Sequence, residues 1–242
     1  MNIPVKIEPD RIKDALVQVF YDSNLPYEIL IGYVHKTLTS NGFKYITPFL
    51  ESNKTNQQQI NFNPTHLFVG PNDQVKIQIH PNHSLTFNTI SNYIGWSQYR
   101  VIIEDVLRVL LKENNIDAFR RVGIRYISEF ENIDILDKVK FGYDQSFPGT
   151  KIDNSTSNLK WKDESYDISL NLTSNLPVNI TKENQETITS ISLIDIDVIK
   201  RNFDIENIEK LMSTIDSCHL KQKVVFFSLL NEDFLSQLNP VY

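Results

Sequence analysis

Two short runs hold the charged side chains whose spacing suggests chemistry. Residues 119–130 read Phe-Arg-Arg-Val-Gly-Ile-Arg-Tyr-Ile-Ser-Glu-Phe and alternate as a strand. Val122, Ile124, Tyr126 and Ser128 share one face, and Arg121, Gly123, Arg125, Ile127 and Glu129 share the other. Residues four apart on a strand lie about 13 Å from each other, so one anion would not bridge Arg121 and Arg125 directly. Asp195 and Asp197 fall on one face of a second strand, expected over residues 187–199, about 7 Å apart by the same geometry. If these strands are neighbours, the arginines and aspartates interlock. Such a set is either a structural ion-pair ladder on a half-exposed sheet or a concave site where guanidinium forks grip an acidic or phosphorylated ligand. Two carboxylates at this spacing are also a minimal start for a Mg²⁺ site, although no nucleotide-binding or nuclease pattern accompanies them.

A second constellation lies near the C-terminus. His219, Lys223 and Phe227 recur every four residues and so share a helix face. This is either a packing seam with a polar edge or the lining of a pocket or partner surface. Cys218 and His219 are adjacent, and neighbours on a helix point about 100° apart, a poor arrangement for a nucleophile and its base. His80 and His83 flank Pro81-Asn82 in an expected hairpin turn; no third or fourth zinc ligand is nearby in sequence. Tyr93, Trp96 and Tyr99 cluster where a helix begins and are read as its anchor on the sheet. None of the seven glycines stands in a phosphate-cradling pattern, and neither a Gly-x-Ser-x-Gly elbow nor a His-Glu-x-x-His helix occurs. We therefore expect no cofactor, catalytic residue or metal ligand.

The elements that must position these residues follow from periodicity and punctuation. Strands are expected over 13–21, 67–69, 75–79, 85–89, 119–130, 159–162, 166–173 and 187–199, with another around Phe43 and Tyr45 that breaks near Pro48. Residues 27–40 repeat at helical spacing through Leu30, Val34 and Leu38, and Asn41-Gly42 ends that helix. Residues 96–113 form the strongest helix, with Tyr99, Ile102, Ile103, Val106, Leu107 and Leu110 as its stripe and an end at Asn114-Asn115. Short helices are expected over 133–139 and 232–238, and a longer one over 205–216 that continues or re-enters over 218–230. Residues 52–59, 142–158 and 174–186 read as polar connections.

The pattern predicts an α+β fold of antiparallel strands covered on one side by helices. The halves 1–115 and 116–242 share a coarse β-α-β-β-β-α order, as in helix-grip or TATA-binding-protein-like topologies, within one compact unit. The composition agrees: 242 residues, 40% hydrophobic and 22% charged, give an ordinary globular core. A net charge of -6 lacks the basic field of a generic nucleic-acid binder. The single cysteine excludes an internal disulfide. With no basic-then-apolar leader and no run of about 18 apolar residues, a cytoplasmic location without membrane contact is expected.

Five segments together resemble a bacterial family described as a sporadically distributed protein of about 250 residues. They are residues 15–20 (Ala-Leu-Val-Gln-Val-Phe), 93–99 (Tyr-Ile-Gly-Trp-Ser-Gln-Tyr), 121–127 (Arg-Val-Gly-Ile-Arg-Tyr-Ile), 193–197 (Leu-Ile-Asp-Ile-Asp) and the closing helices with His219, Lys223, Phe226, Phe227, Leu235 and Pro240. The third is the most distinctive, and Ser128 stands where that family carries Asn. The resemblance implies no established activity; a patchy distribution points to genes on mobile or defence islands. The leading expectation is a non-enzymatic binding protein, an accessory to a bacterial defence or mobile-element system. Its partner is another protein or a small or phosphorylated ligand, met by Arg121, Arg125, Asp195, Asp197, His219 and Lys223. A metal-dependent enzyme acting on a phosphate-bearing or nucleic-acid substrate is the alternative. A small-molecule carrier is the second.

Overall fold

The computed structural model describes residues 3–46, 65–90, 93–112, 116–140, 153–182, 185–205 and 207–242. In chain order the strands and helices are β1 (Lys6–Ile7), β2 (Ile12–Asp22), α1 (Tyr27–Ser40), β3 (Lys44–Ile46), β4 (His66–Val69), β5 (Lys76–His80), β6 (Ser84–Ile90), α2 (Trp96–Lys112), β7 (Ala118–Glu131), β8 (Ser155–Asp163), β9 (Tyr166–Lys182), β10 (Gln185–Ile205), α3 (Ile208–Leu229), α4 (Glu232–Gln237) and β11 (Pro240–Val241). The protein is α+β. Among the described residues nine strands form one sheet in the order β3-β4-β5-β6-β2-β7-β10-β9-β8, and β1 pairs with β11 in a second, two-stranded one. Neighbouring strands of the large sheet run antiparallel.

The chain forms two compact units. The first comprises Met1–Ala15, Ile124–Lys200 and Asp216–Tyr242, and the second Leu16–Gly123 and Arg201–Ile215. In the second unit β2 buries Val17, Val19 and Tyr21 while the residues between them stay half-buried, the alternation of a strand with one covered face. Helix α1 buries Leu30, Ile31, Val34 and Leu38. It stops where the sequence says it should: Gly42 takes φ +82°, and Phe43 N–H donates to Leu38 O at 3.0 Å, closing the last turn. Helix α2 buries Tyr99, Ile103, Val106, Leu107 and Leu110. Ile102, expected in the same stripe, is only half-buried at its margin. Tyr93 and Trp96 set their rings at 83° and 82° to that of Tyr99, edge-to-face packing that anchors the helix start.

In the first unit the buried positions of the sheet are Ile124, Tyr126, Ser128 and Phe130 on β7, Ile194, Ile196 and Val198 on β10, and Ile168, Leu170 and Leu172 on β9. Helices α3 and α4 add Cys218, Gln222, Phe226, Phe227 and Phe234, and Leu230 lies between them, all buried. Phe234 packs against Phe130 with ring centroids 5.6 Å apart. Asn231 caps α4, its side chain accepting from Phe234 N–H at 2.8 Å, as expected of an amide at that position.

Several expectations are corrected. Residues 174–186 are not a polar connection: β9 runs through Lys182, and β10 starts at Gln185. Leu176 pairs with Ile191 and Val178 with Thr189 across this ribbon. The reason lies at its base, where Asn175 adopts φ +55° and the register shifts between Ile191 and Leu193. The chain passes through a β-bulge instead of ending the strand. Of the two readings of 205–230 the continuous helix holds, but α3 runs from Ile208 to Leu229, with Ile205 still in β10, and the helix expected at 133–139 shortens to a 3₁₀ turn, Ile135–Lys138. The expected break near Pro48, the polar run 52–59, the α2 end at Asn114-Asn115 and most of the 142–158 connection lie outside the described residues. No helix among the described residues is long and apolar enough to cross a membrane.

Candidate functional site

Successive strand residues point to opposite faces, so burying Tyr126 and Ser128 of β7 turns Arg125, Ile127 and Glu129 to the other face of the sheet. In the same way Ile194 and Ile196 of β10 turn Asp195 and Asp197 outward. The fold makes β7 and β10 neighbours, and Arg125 and Asp195 meet. Arg125 Nε donates to Asp195 Oδ1 and Nη2 donates to Oδ2, both at 2.8 Å, the fork-to-carboxylate geometry that fixes both partners. The Arg125 side chain is 45% exposed and that of Asp195 only 11%. Asp195 is the seated member of the pair and Arg125 the presented one.

The row continues across two further strands. Asn171 of β9 donates from Nδ2 to Asp195 Oδ2 at 3.1 Å, and Asn158 of β8 donates from Nδ2 to Asn171 Oδ1. Register explains the second contact, since Asn158 and Asn171 are directly paired. A polar line Arg125–Asp195–Asn171–Asn158 therefore spans four strands on one face. The hydrogen bonds from Asp195 hold the guanidinium pKa above its ordinary value, against the effect of burial; the charges of Asp195, Asp197 and Asp14 act in the same direction. Two of the five N–H groups of a guanidinium are taken by Asp195.

The other sequence-derived candidates take different positions. Asp197 is half-buried on β10 and contributes its charge to Arg125. Arg121 belongs to the second unit, where its guanidinium lies 4.6 Å above the Phe20 ring, a cation–π contact. His219 and Lys223 are on α3, and His219 Nδ1 is 3.3 Å from Tyr126 Oη, with the two rings edge-on at 69°. His219 thus approaches the covered face of β7, opposite the face that carries Arg125. Burial pushes the His219 pKa down to about 3, with the charge of Lys223 adding to it, and burial also lowers that of Lys223. Cys218 is fully buried and its thiol is pushed up to about 12, mainly by burial, which leaves it inert as a nucleophile.

Sequence reasoning missed Asn158 and Asn171. The signal was present in the alternation of 155–163 and 166–173, which puts Asn158 with Lys160 and Asn171 with Ser169 on single faces. What was lacking was the pairing partner, and the polar run 142–158 placed Asn158 in a connection, whereas β8 starts at Ser155. His80 is half-buried, with its ring nitrogens 3.2 Å from Thr65 Oγ1 and 3.1 Å from Thr86 Oγ1. Among the described residues no group of three or more His, Cys, Asp or Glu side chains is placed to hold a metal ion.

No protein-family model matches the chain, and no curated protein matches it.

Proposed function

We propose that the protein is a non-enzymatic binding protein whose recognition surface is the sheet face carrying Arg125, Asp195, Asn171 and Asn158. The observation that carries this reading is the half-exposed Arg125 guanidinium, locked by a largely buried carboxylate and retaining further donors for a partner. A pre-positioned arginine loses less side-chain entropy on association than a mobile one, and arginine is among the residues that dominate protein–protein interfaces. A partner protein would present acceptors to it: carboxylates or backbone carbonyls. Asp197 belongs to the same surface.

In the same reading the two sequence halves are copies of one plan. In each, the first strand (β2 or β7) lies beside the last strand of the following meander (β6 or β10), and the meander's first strand (β3 or β8) lies farthest away. We also carry forward membership of the sporadically distributed family, a cytoplasmic site of action and a role as an accessory in a defence or mobile-element system.

The test is native mass spectrometry of the tagged protein purified gently from its own host, alongside an Arg125→Ala variant. The expected result is a defined partner protein at fixed stoichiometry, lost from the variant. The variant should melt only a few degrees lower, since Arg125 is half-exposed, Asp195 keeps the Asn171 donor, and 1 kcal/mol shifts a chain of this size by about 2–4 °C. A partner retained by Arg125→Ala, or wild-type protein that carries none, overturns the proposal. A much larger drop in midpoint would show the pair to be a structural tie.

A further inference from the structure

The second unit has a cleft of about 560 Å³ between the C-terminal end of α1, the 3₁₀ turn Pro71–Asp73 and one stripe of α2. Its floor is apolar: Leu38, Val75 and Val106 are buried and line it. Phe43, Pro71, Ile102 and Val109 form its walls. The stripe of α2 that faces the cleft is Ile102, Asp105, Val106 and Val109, spaced as one helix face, so Asp105 is the charged member of an otherwise apolar stripe, while Thr37, Asn41, Gln74 and Arg108 add polar groups to the rest of the lining. This explains why Ile102 is only half-buried despite its place in the expected core stripe.

The charges at the rim are unequal. Arg108, the cation of the lining, is tied to Glu104 at 2.5 Å and to Glu209 at 3.3 Å. Glu104 is shared with Arg100 at 2.7 Å. Three carboxylates, Asp105, Glu104 and Glu209, thus meet two guanidiniums, and Asp105 is the one that forms no ion pair among the described residues. The Arg108 fork is occupied, so an anionic ligand would have to displace two carboxylates. A cationic group entering over the apolar floor finds Asp105 in place.

We propose that this cleft binds a small amphipathic organic cation, with its apolar body on Leu38, Val75 and Val106 and its ammonium group at Asp105. The volume lies within the range of about 300–1,000 Å³ typical of small-molecule sites, and a largely apolar lining with a few placed polar groups is how such sites fix orientation. The inference is independent of the Arg125 face.

An isosteric pair of probes tests it: 4-phenylbutylammonium and 4-phenylbutyrate, titrated into the full chain and followed by methyl NMR shifts. The ammonium compound should shift the methyls of Leu38, Val75 and Val106 saturably. The carboxylate compound should bind measurably more weakly, by up to about fivefold for the loss of an exposed charge pair. Asp105→Asn, at an exposed helix position, should remove that preference without altering the melting midpoint, and Ile102→Trp should block both probes. Equal binding of the two probes, saturable shifts mapped to other methyls, no shift for either probe, or an unchanged preference in Asp105→Asn each overturns the proposal.

Discussion

His219 shows how one side chain couples the site of its burial to the stability of the whole chain. In the folded protein its pKa lies near 3 because burial, and secondarily the charge of Lys223, disfavour the imidazolium. In the unfolded chain it takes the ordinary histidine value of about 6.5. Between these values the unfolded state binds the extra proton, so stability rises with pH across that window and is lost as pH falls from about 6.5 towards about 3. We predict that urea midpoints measured from pH 7 to pH 4 decline more steeply in the wild type than in His219→Gln. Parallel declines would show that other groups control the slope. The Arg125–Asp195 pair makes a complementary point. The alternation of 119–130 and 187–199 reveals which side chains face the same way, because the strand period is two. It does not say which strands touch, and that decides whether Asp195 meets Arg125. Arg121, equivalent to Arg125 in the sequence pattern, lies instead over Phe20.

At the scale of elements, the β9–β10 ribbon is the clearest departure from the sequence reading. Past Ser174, where β8 ends its pairing, the two strands continue to Lys182 and Gln185. Leu176 is 41% exposed and Ile188 75% exposed. Pro177 sits within it opposite Ser190, and a proline without an N–H is confined to strand edges. The ribbon is fixed at its base, where Ser192 Oγ donates to Ile133 O at 2.5 Å and accepts from Asn175 N–H at 3.0 Å. Asp134 there accepts from Asn175 Nδ2 at 2.9 Å. An isolated two-stranded ribbon is marginally stable in water, and exposed isoleucine and leucine on one suit it to contact a partner. Ile188→Ser should change stability by no more than about 0.5 kcal/mol, as for surface substitutions elsewhere. The same substitution should weaken capture of the partner sought through Arg125. A substantial loss of stability, or undiminished capture, would remove the ribbon from the binding surface. The helices were far more legible: α1 has the bounds read from Leu30, Val34, Leu38 and Asn41-Gly42, because an amphipathic stripe and a glycine stop are local signals.

For the whole molecule, neither compact unit is a continuous stretch of chain. The second unit draws on Leu16–Gly123 and also on Arg201–Ile215. A fragment ending at residue 115 would lack both the 118–123 portion of β7, which flanks β2 in the sheet order, and the 201–215 segment with buried Leu211, Met212 and Ile215. We predict that residues 1–115 expressed alone give a poorly dispersed amide NMR spectrum without a cooperative melt; a dispersed spectrum would show that these contributions are dispensable. The chain ends are also joined: Val5 N–H donates to Val241 O at 2.6 Å, and Asn239 Nδ2 donates to Glu8 O at 3.0 Å. By itself the sequence determined the α+β class, the antiparallel strands, the position of most helices and the faces on which Arg125, Asp195 and Asp197 lie. All of these rest on short-range periodicity and turn chemistry, which act within a few residues. Only the tertiary structure decided that β7 lies beside β10, that Asn158 and Asn171 complete the polar line, that His219 takes the covered side and that Asp105 closes an apolar cleft. Each of those depends on contacts between residues far apart in the chain, chosen by how the sheet pairs and packs, and no local pattern encodes that choice.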